Sequence, residues 1–596
     1  MPPVSGPPRA AAGSRVVLWP GPDGGWRLQP VDEGGSPAGA GQLLADVAAV
    51  AAAVAEREAA SRPRWVWPAT AALYPQLLGL GVRVARCHDL GHTERLLLAQ
   101  EQRWDDWRAH AGPDLADPAA DPADAVQPSL FDDLAGPPSR ASATGADPTG
   151  PDLTEPNGDA ADLAESDRAG PDLRGPDPVA VHWDQLARLT QLAAAPDGAP
   201  GLALLCAAES AGTLAAAEMA AAGLPWDVVV HHRILAGLLG PRPSGTARPA
   251  LLQELAEQVS LTLEDPGVNP DSPVDLLRSL RRAGLPVTST GKWELDRYDH
   301  PVVPLLRRYK GLARLWTANG WAWQEAWVRE GRFRPEYVPA GVITGRWATR
   351  GGGALQIPKA VRGAVRAVEG RVLVVADAGQ LEPRVLAAMS RDPGMVAATR
   401  AGDLYAELAA QALGRPEARA EAKVALLAAM YGGGAGSPAL AALKRRFPGA
   451  LALLERAART GEDGGSVRSV LGRVCPPAEP GWLAGLPDAA AAARTRSRGR
   501  FTRNFVVQAS AADWAAALVA GLRTRLAELP AVDGWQAQLV FFQHDEVIVE
   551  APAAQADRVI AAVSDAGVEA TRLVLGDTGV HVPLTAVPVA SYADKG

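Results

Sequence analysis

Asp545 and Glu546 are two acidic residues set between runs that must be buried. The stretch from Ala537 to Pro552 reads AQLVFFQHDEVIVEAP. Leu539-Val540-Phe541-Phe542 and Val547-Ile548-Val549 are β-branched or aromatic, and each favours a strand. Gln543, His544, Asp545 and Glu546 leave room between them only for a tight hairpin turn. Carboxylates at the tip of a buried hairpin cost free energy to desolvate unless a cation neutralises them. The stretch alone fits either a metal-binding turn that takes a second carboxylate from elsewhere, or an ordinary acidic turn.

A second carboxylate stands in RVLVVADAGQLEPRVLAAMSRD, residues 371–392. Val372-Leu373-Val374-Val375 is a continuous apolar run, as in a strand buried on both faces. Asp377 follows at its end, and a helical pattern starts near Glu382. That placement suits a divalent ion facing a cleft. In RAEAKVALLAAMY, residues 419–431, Arg419, Lys423, Leu427 and Tyr431 recur at steps of four and share one side of a helix. An ordinary amphipathic helix would carry an apolar stripe there. A phosphate-facing helix would use the Arg and Lys as charges and the Tyr as a stacking surface.

In this order the three stretches resemble the motifs of family A DNA polymerases, the bacterial polymerase-one type. Asp377, Gln380, Glu382 and Arg384 match its motif A. Arg419, Lys423, Tyr431 and Gly432 match motif B, and His544, Asp545 and Glu546 match motif C. The resemblance runs from about Leu205 to the C-terminus. It implies two-metal phosphoryl transfer with two Mg2+ ions held by Asp377 and Asp545. Glu546 and His544 would support the metal site and the primer end. Arg419 and Lys423 would grip the triphosphate of a deoxynucleotide, with Lys423 also a general acid. Tyr431 would stack at the template position, and Glu382 would fill the space of a ribose 2′-hydroxyl. Gln380 joins the nucleotide side of the site. Tyr405, in Gly402-Asp403-Leu404-Tyr405, stands where the family has His and would donate to phosphate. Leu427 stands where the family usually packs an aromatic residue on the incoming sugar. Arg346, Arg384, Arg500, Asn504, Gln508 and His544 are the implied contacts to primer–template DNA.

The elements that must position these residues are expected as a multidomain α/β and α+β chain. Residues 1–110 alternate strand and helix: a strand at Arg15–Trp19, a helix at Leu43–Glu58, and strands at Arg64–Trp67 and Gly81–Arg86. By position this resembles a 3′–5′ exonuclease domain. The first strand runs into Pro20-Gly21-Pro22 with no Asp-x-Glu pair, so the domain reads as degenerate and the activity as absent. Residues 111–180 read as an acidic disordered linker, 181–300 as a thumb, 301–391 as the first part of a palm, 392–498 as fingers and 499–596 as the second part of the palm. Arg307, Arg308, Lys310 and Arg314 share one predicted helix, which reads either as a solvated charged face or, in a thumb, as a row along duplex phosphates. Thr344-Gly345-Arg346 and Leu355-Gln356-Ile357-Pro358 resemble further family segments, the second one residue short.

The chain has 596 residues and a formal net charge of −8. Residues 112–178 hold 15 Asp plus Glu against 3 Arg, so the remainder is mildly basic, near +4. The same segment has almost no aromatic or β-branched residues and cannot bury a core. Within it Gln127, Leu130 and Phe131, in QPSLFDDL, resemble the peptide by which bacterial polymerases dock on a sliding clamp. Cys87, Cys206 and Cys475 have no paired spacing, which argues against a disulfide framework or a zinc site and suits a reducing cytoplasm. No stretch reads as a membrane span, and a monomer is expected. The competing readings are a catalytically weak clamp-tethered DNA-binding protein, a single-subunit RNA polymerase and a proofreading exonuclease. The paired carboxylates oppose the first, Glu382 the second and the bare first strand the third.

Overall fold

The computed structural model describes residues 14–111, 177–196, 198–245, 247–350, 357–433 and 436–595. The acidic segment with Gln127, Leu130 and Phe131 lies outside them, as do Gly351–Gly353, Leu355 and Gln356. Among the described residues two compact units form. One comprises 14–111, 177–217 and 471–476, the other 218–470 and 477–595.

The first unit is built on β1 (Arg15–Pro20), β2 (Trp26–Val31), β3 (Gln42–Leu44), β4 (Arg64–Trp67) and β5 (Arg86–Asp89), in the order β3-β2-β1-β4-β5. β1, β4 and β5 are parallel, and β2 returns antiparallel to β1. The helices are α1 (Val47–Ala60), α2 (Thr70–Gly79), α3 (Leu90–Gln100), α4 (Trp104–Ala111), α5 (Pro178–Ala194) and α6 (Leu202–Ala222), of which residues up to 217 belong here. Trp65, Trp67, Tyr74 and Leu214 are fully buried in its core. β2 is not expected from the sequence. The Pro20-Gly21-Pro22 break is a turn, closed by Gly21 N–H donating to the Gly25 carbonyl at 2.7 Å, with Gly24 at φ +83. The strand expected at Gly81–Arg86 is displaced to Arg86–Asp89. Gly81 at φ +77 only ends α2, and pairing begins where Arg86 meets Arg64.

The second unit carries α7 (Val228–Leu239), α8 (Ala250–Thr262), α9 (Pro273–Arg282), α10 (Lys292–Leu295), α11 (Val302–Asn319) and α12 (Trp321–Trp327) in its first part. Small strands follow: β6 (Leu224–Pro225), β7 (Val328–Arg329) and β8 (Arg332–Phe333) in the order β6-β8-β7, then β9 (Glu336–Val338) with β10 (Ala348–Arg350). On α11 Arg308 and Arg314 are exposed, whereas Lys310 donates to the Thr290 carbonyl at 2.6 Å and Arg307 pairs with Asp296 at 3.3 Å.

The sheet expected in the palm is antiparallel throughout: β11 (Arg371–Ala378), β12 (Gln538–Gln543), β13 (Glu546–Pro552) and β14 (Leu584–Val589), in the order β12-β13-β11-β14. As the apolar run requires, Leu373, Val374, Val375 and Ala376 are all buried, with β11 enclosed between two neighbouring strands. α13 (Leu381–Ser390) follows β11. The region expected as fingers is helical: α14 (Pro393–Ala398), α15 (Leu404–Leu413), α16 (Arg419–Tyr431), α17 (Pro438–Arg446) and α18 (Pro448–Glu462). α19 (Asp488–Glu528) and α20 (Ala556–Leu575) complete the unit.

One expectation needs correction. α6 and α19 do have the length and apolarity of a membrane span, and most of each apolar window is buried inside the protein. The run of Ala, Val, Leu and Trp in α19 is core: Phe505 to Val519 is buried without a break. Polar residues interrupt the apolar stretch too sparsely for sequence to separate a core helix from a span.

Candidate active site

Strand register sets the centre of the site. β12 and β13 are joined by His544 and Asp545 alone, with Gln543 opposite Glu546. A two-residue hairpin needs a left-handed residue, and His544 supplies it at φ +55. Glu546 in turn pairs with Asp377 of β11, and Ala378 N–H donates to the Asp545 carbonyl at 3.0 Å. The end of one strand and the turn of a hairpin thus bring together three carboxylates that are 168 and 169 positions apart in sequence.

The electrostatics follow from burial. Desolvation pushes the Asp545 carboxyl up to about 7, and the nearby charge of Asp377 adds to the shift. The Asp377 carboxyl is also raised by burial, against the opposing charge of Lys595. His544 falls to about 4, through burial and then through Arg346. Asp545 also faces Glu382 and Glu546. Among the described residues no three His, Cys, Asp or Glu side chains form a ready-made metal cage. Two half-buried carboxylates, Asp377 and Asp545, nonetheless fit a hard cation that completes its shell with water and substrate phosphate. Their raised proton affinity is the free-energy cost that such a cation would relieve.

Glu382 sits beside this centre. It is ion-paired with Arg346 and accepts a hydrogen bond from the Tyr431 hydroxyl at 2.6 Å. Gln508 is hydrogen-bonded to the same hydroxyl, and burial followed by the Glu382 charge raises Tyr431 well above its ordinary value. Motif A and the last turn of α16 are therefore locked together. Gly432 ends α16 at φ +83, and a Cβ there would strike the Arg500 side chain at 2.4 Å. Arg500 is exposed, whereas Asn504 and Gln508, one and two turns further along α19, are largely buried.

The first turn of α16 forms a second group. Arg419 is ion-paired with Asp403, and the Tyr405 ring lies 5.8 Å from its guanidinium and 6.0 Å from the Lys423 ammonium. Burial, then Arg419, lowers the Lys423 pKa. Tyr405 is itself buried, and burial raises its hydroxyl. It offers the two cations a ring face rather than an open phosphate donor. Leu427 is buried too, so that side of the helix presents charge only over its first turn.

Two expected contacts are corrected. Arg384 is wholly buried. Its guanidinium donates to the carbonyls of Gly379 at 2.8 Å, Thr399 at 2.5 Å, His581 at 2.7 Å, and Ala401 and Gly402 at 3.3 Å. Every direction of the fork is used internally, so it does not face DNA. Gln380, at φ +57, donates to Asp403 at 2.9 Å and accepts from Leu404 N–H at 2.9 Å. Its amide fixes the start of α15 and with it Asp403, and is not presented to a nucleotide. Sequence reasoning missed Lys595, whose ammonium lies 3.5 Å from Asp377 and 3.0 Å from Glu546. A lone lysine far from any motif carries no spacing signal, and only the fold places it here.

Comparison with known proteins is consistent with this geometry. A model of "DNA polymerase family A" matches residues 252–588. The thermostable DNA polymerase I of Thermus filiformis is 29% identical over 313 residues, 48% of this chain and 36% of that protein. DNA polymerase I of Chloroflexus aurantiacus is 27% identical over 304 residues, 46% of this chain and 31% of that protein. The matched region spans about a third of these relatives' length. The polymerase domain of Pol1 from M. smegmatis, solved with DNA primer-template and dNTP, superposes with a TM-score of 0.63 at 18% identity, covering 98% of this chain and 95% of that one. That likeness shows a common fold of thumb, palm and fingers, and the family match extends over more than half of the sequence: the chain belongs to DNA polymerase family A.

Proposed function

We propose that this chain extends a primer 3′ end on a DNA template, adding deoxynucleotides by two-metal phosphoryl transfer in DNA repair or replication. The observation that carries this reading is the pairing of Asp377 with Asp545 at the open end of the palm sheet, both carboxyls raised by burial. These two residues would hold Mg2+. When bound, the ions would supply activation of the primer hydroxyl and neutralisation of the triphosphate. Arg419 and Lys423 would bind phosphate oxygens as charges at the head of α16, which requires Arg419 to exchange Asp403 for the nucleotide. The lowered pKa of Lys423 suits proton donation to the leaving pyrophosphate. Glu382, held from both sides by Arg346 and Tyr431, is a rigid wall against a 2′-hydroxyl. His544, Arg346 and Arg500 border the site and would serve the primer and template, with Asn504 and Gln508 lining the face behind them. The M. smegmatis polymerase domain was solved in complex with DNA primer-template and dNTP, and the same partners are proposed here. Primer extension with deoxynucleotides and ribonucleotides in parallel tests the reading. Absence of Mg2+-dependent extension would overturn it.

Two further roles belong to the proposal. The first unit would not trim 3′ ends. In support, β1 reads Arg15-Val16-Val17-Leu18-Trp19-Pro20 and carries no carboxylate to hold a metal. Trimming that survives Asp377→Ala and disappears on deleting residues 1–110 would refute this. Gln127, Leu130 and Phe131 would dock on a bacterial sliding clamp in the cytoplasm. Burying one Leu and one Phe is worth roughly 1.5–3 kcal/mol each, so Leu130→Ala with Phe131→Ala should remove clamp-stimulated synthesis and leave the basal rate. Equal stimulation of mutant and wild type would show that the peptide is incidental.

A further inference from the structure

Lys595 stands in the carboxylate centre without belonging to any motif. Its ammonium is within ion-pair reach of Asp377 at 3.5 Å and of Glu546 at 3.0 Å. The position is built. Lys595 ends the 3-10 turn Tyr592–Lys595. Tyr592 is buried, its N–H donates to the Val365 carbonyl at 2.9 Å, and the Arg362 guanidinium covers its ring at 4.3 Å. Asp594 closes the turn by accepting from Ser591 N–H at 3.1 Å. The Ala367 N–H bond to the Ala590 carbonyl, 2.9 Å, fixes the chain just before it. A buried aromatic, two backbone hydrogen bonds and the Asp594 side-chain bond thus aim one flexible side chain at two acids.

Asp377 is shared. The proposed function needs its carboxylate for a divalent cation together with Asp545, whereas the structure gives one of its oxygens to Lys595. Two cations on one carboxylate repel each other at any distance the side chains allow. Glu546, the other partner of Lys595, lies opposite Asp377 in the sheet and is not one of the two residues proposed to hold the cation. We propose that Lys595 is the resident counter-ion of Asp377 and Glu546, that it is displaced from Asp377 when a divalent cation binds, and that it thereby sets the divalent-cation requirement of the enzyme. It is a positioning residue. It holds Glu546 to one side and keeps the acidic centre neutralised until the metal arrives.

This inference rests on the proposed metal site, and the test separates the two. Binding of Mn2+ to the full chain is measured by the loss of its free paramagnetic resonance signal, with no DNA or nucleotide present. The variants are Lys595→Met, Lys595→Arg and Asp377→Asn. Removing the ammonium in Lys595→Met should tighten Mn2+ binding roughly tenfold, and Lys595→Arg should bind like wild type. In chelator the Met variant should melt below wild type, with the gap closing at saturating Mg2+. Equal affinity in all three Lys595 forms, with binding still lost in Asp377→Asn, overturns the role of Lys595 and leaves the metal site standing. Weaker binding in Lys595→Met overturns it as well, since Lys595 would then assist the metal. If wild type shows no Mn2+ binding that Asp377→Asn removes, the metal-site reading fails and the inference falls with it.

Discussion

At the residue scale the proposed chemistry depends on carboxylates kept close in a partly desolvated place. Burial raises the proton affinity of both Asp377 and Asp545, and the charge of Asp377 adds to the Asp545 shift, so a bound cation would favour their joint ionisation. Replacing either by Ala should abolish Mg2+-dependent primer extension and leave primer–template binding largely intact, because several kcal/mol of transition-state stabilisation is lost with the metal. Gel-shift and extension assays on the same preparation check this, and substantial residual extension would remove the assignment. Glu382 makes a different prediction. Its Ala variant should admit ribonucleotides, read as the ratio of kcat/KM for rNTP and dNTP. Because Glu382 also holds Arg346 and Tyr431, the variant should lose some efficiency with dNTP too. Unchanged sugar discrimination would move the gate to another residue, with Leu427 the first to test.

At the scale of elements, polar side chains fasten motif A to its neighbours. Arg384 joins the start of α13 to the loop at Thr399–Gly402 and to His581 through five carbonyls. Gln380 joins it to α15 through Asp403 and Leu404. Arg384→Ala would leave buried carbonyls unpaired around a cavity, at a cost of about 3–5 kcal/mol. Urea unfolding should show that loss, with the midpoint shifted and DNA affinity of the remaining folded protein close to wild type. A variant with normal stability and weakened DNA binding would restore the surface role.

At the scale of the whole molecule, each unit has its own core, and the first unit carries two buried histidines that respond to acid. In the first unit the rings of His88 and His182 meet edge-to-face, centroids 4.7 Å apart, and both residues are buried. Burial lowers His88 to about 4 and His182 to about 3. The unfolded chain protonates both near 6.5. Stability from these groups is therefore complete above pH 6.5 and is lost as pH falls from 6.5 toward 4, where the unfolded state binds more protons. For His88 alone the loss by pH 4 is about 3 kcal/mol. Denaturation of wild type and His182→Phe at pH 7.5 and pH 5 checks the sign: the variant should lose less on acidification. A wild type equally stable at both values would contradict it. A different interaction ties residues 471–476 into this unit: burial opposes the Glu209 charge, but Arg473 at 2.6 Å, His92 and Arg95 keep its carboxyl well below the usual range.

Periodicity and spacing alone disclosed the hairpin at Asp545, the buried strand ending at Asp377, and α16 with its charged first turn. Those features are local, because a two-residue turn, an apolar run and a 3.6-residue repeat are each written in a few neighbouring residues. The family motifs then named the chemistry. Tertiary structure decided what each polar side chain does with its hydrogen bonds. Arg384 and Gln380 look like ligand contacts in sequence and become internal struts, because the carbonyls and the Asp403 carboxylate that claim them come from distant segments. Lys595 looks like nothing in sequence and enters the acidic centre. Burial and partner choice depend on which remote elements pack together, and no local pattern encodes that.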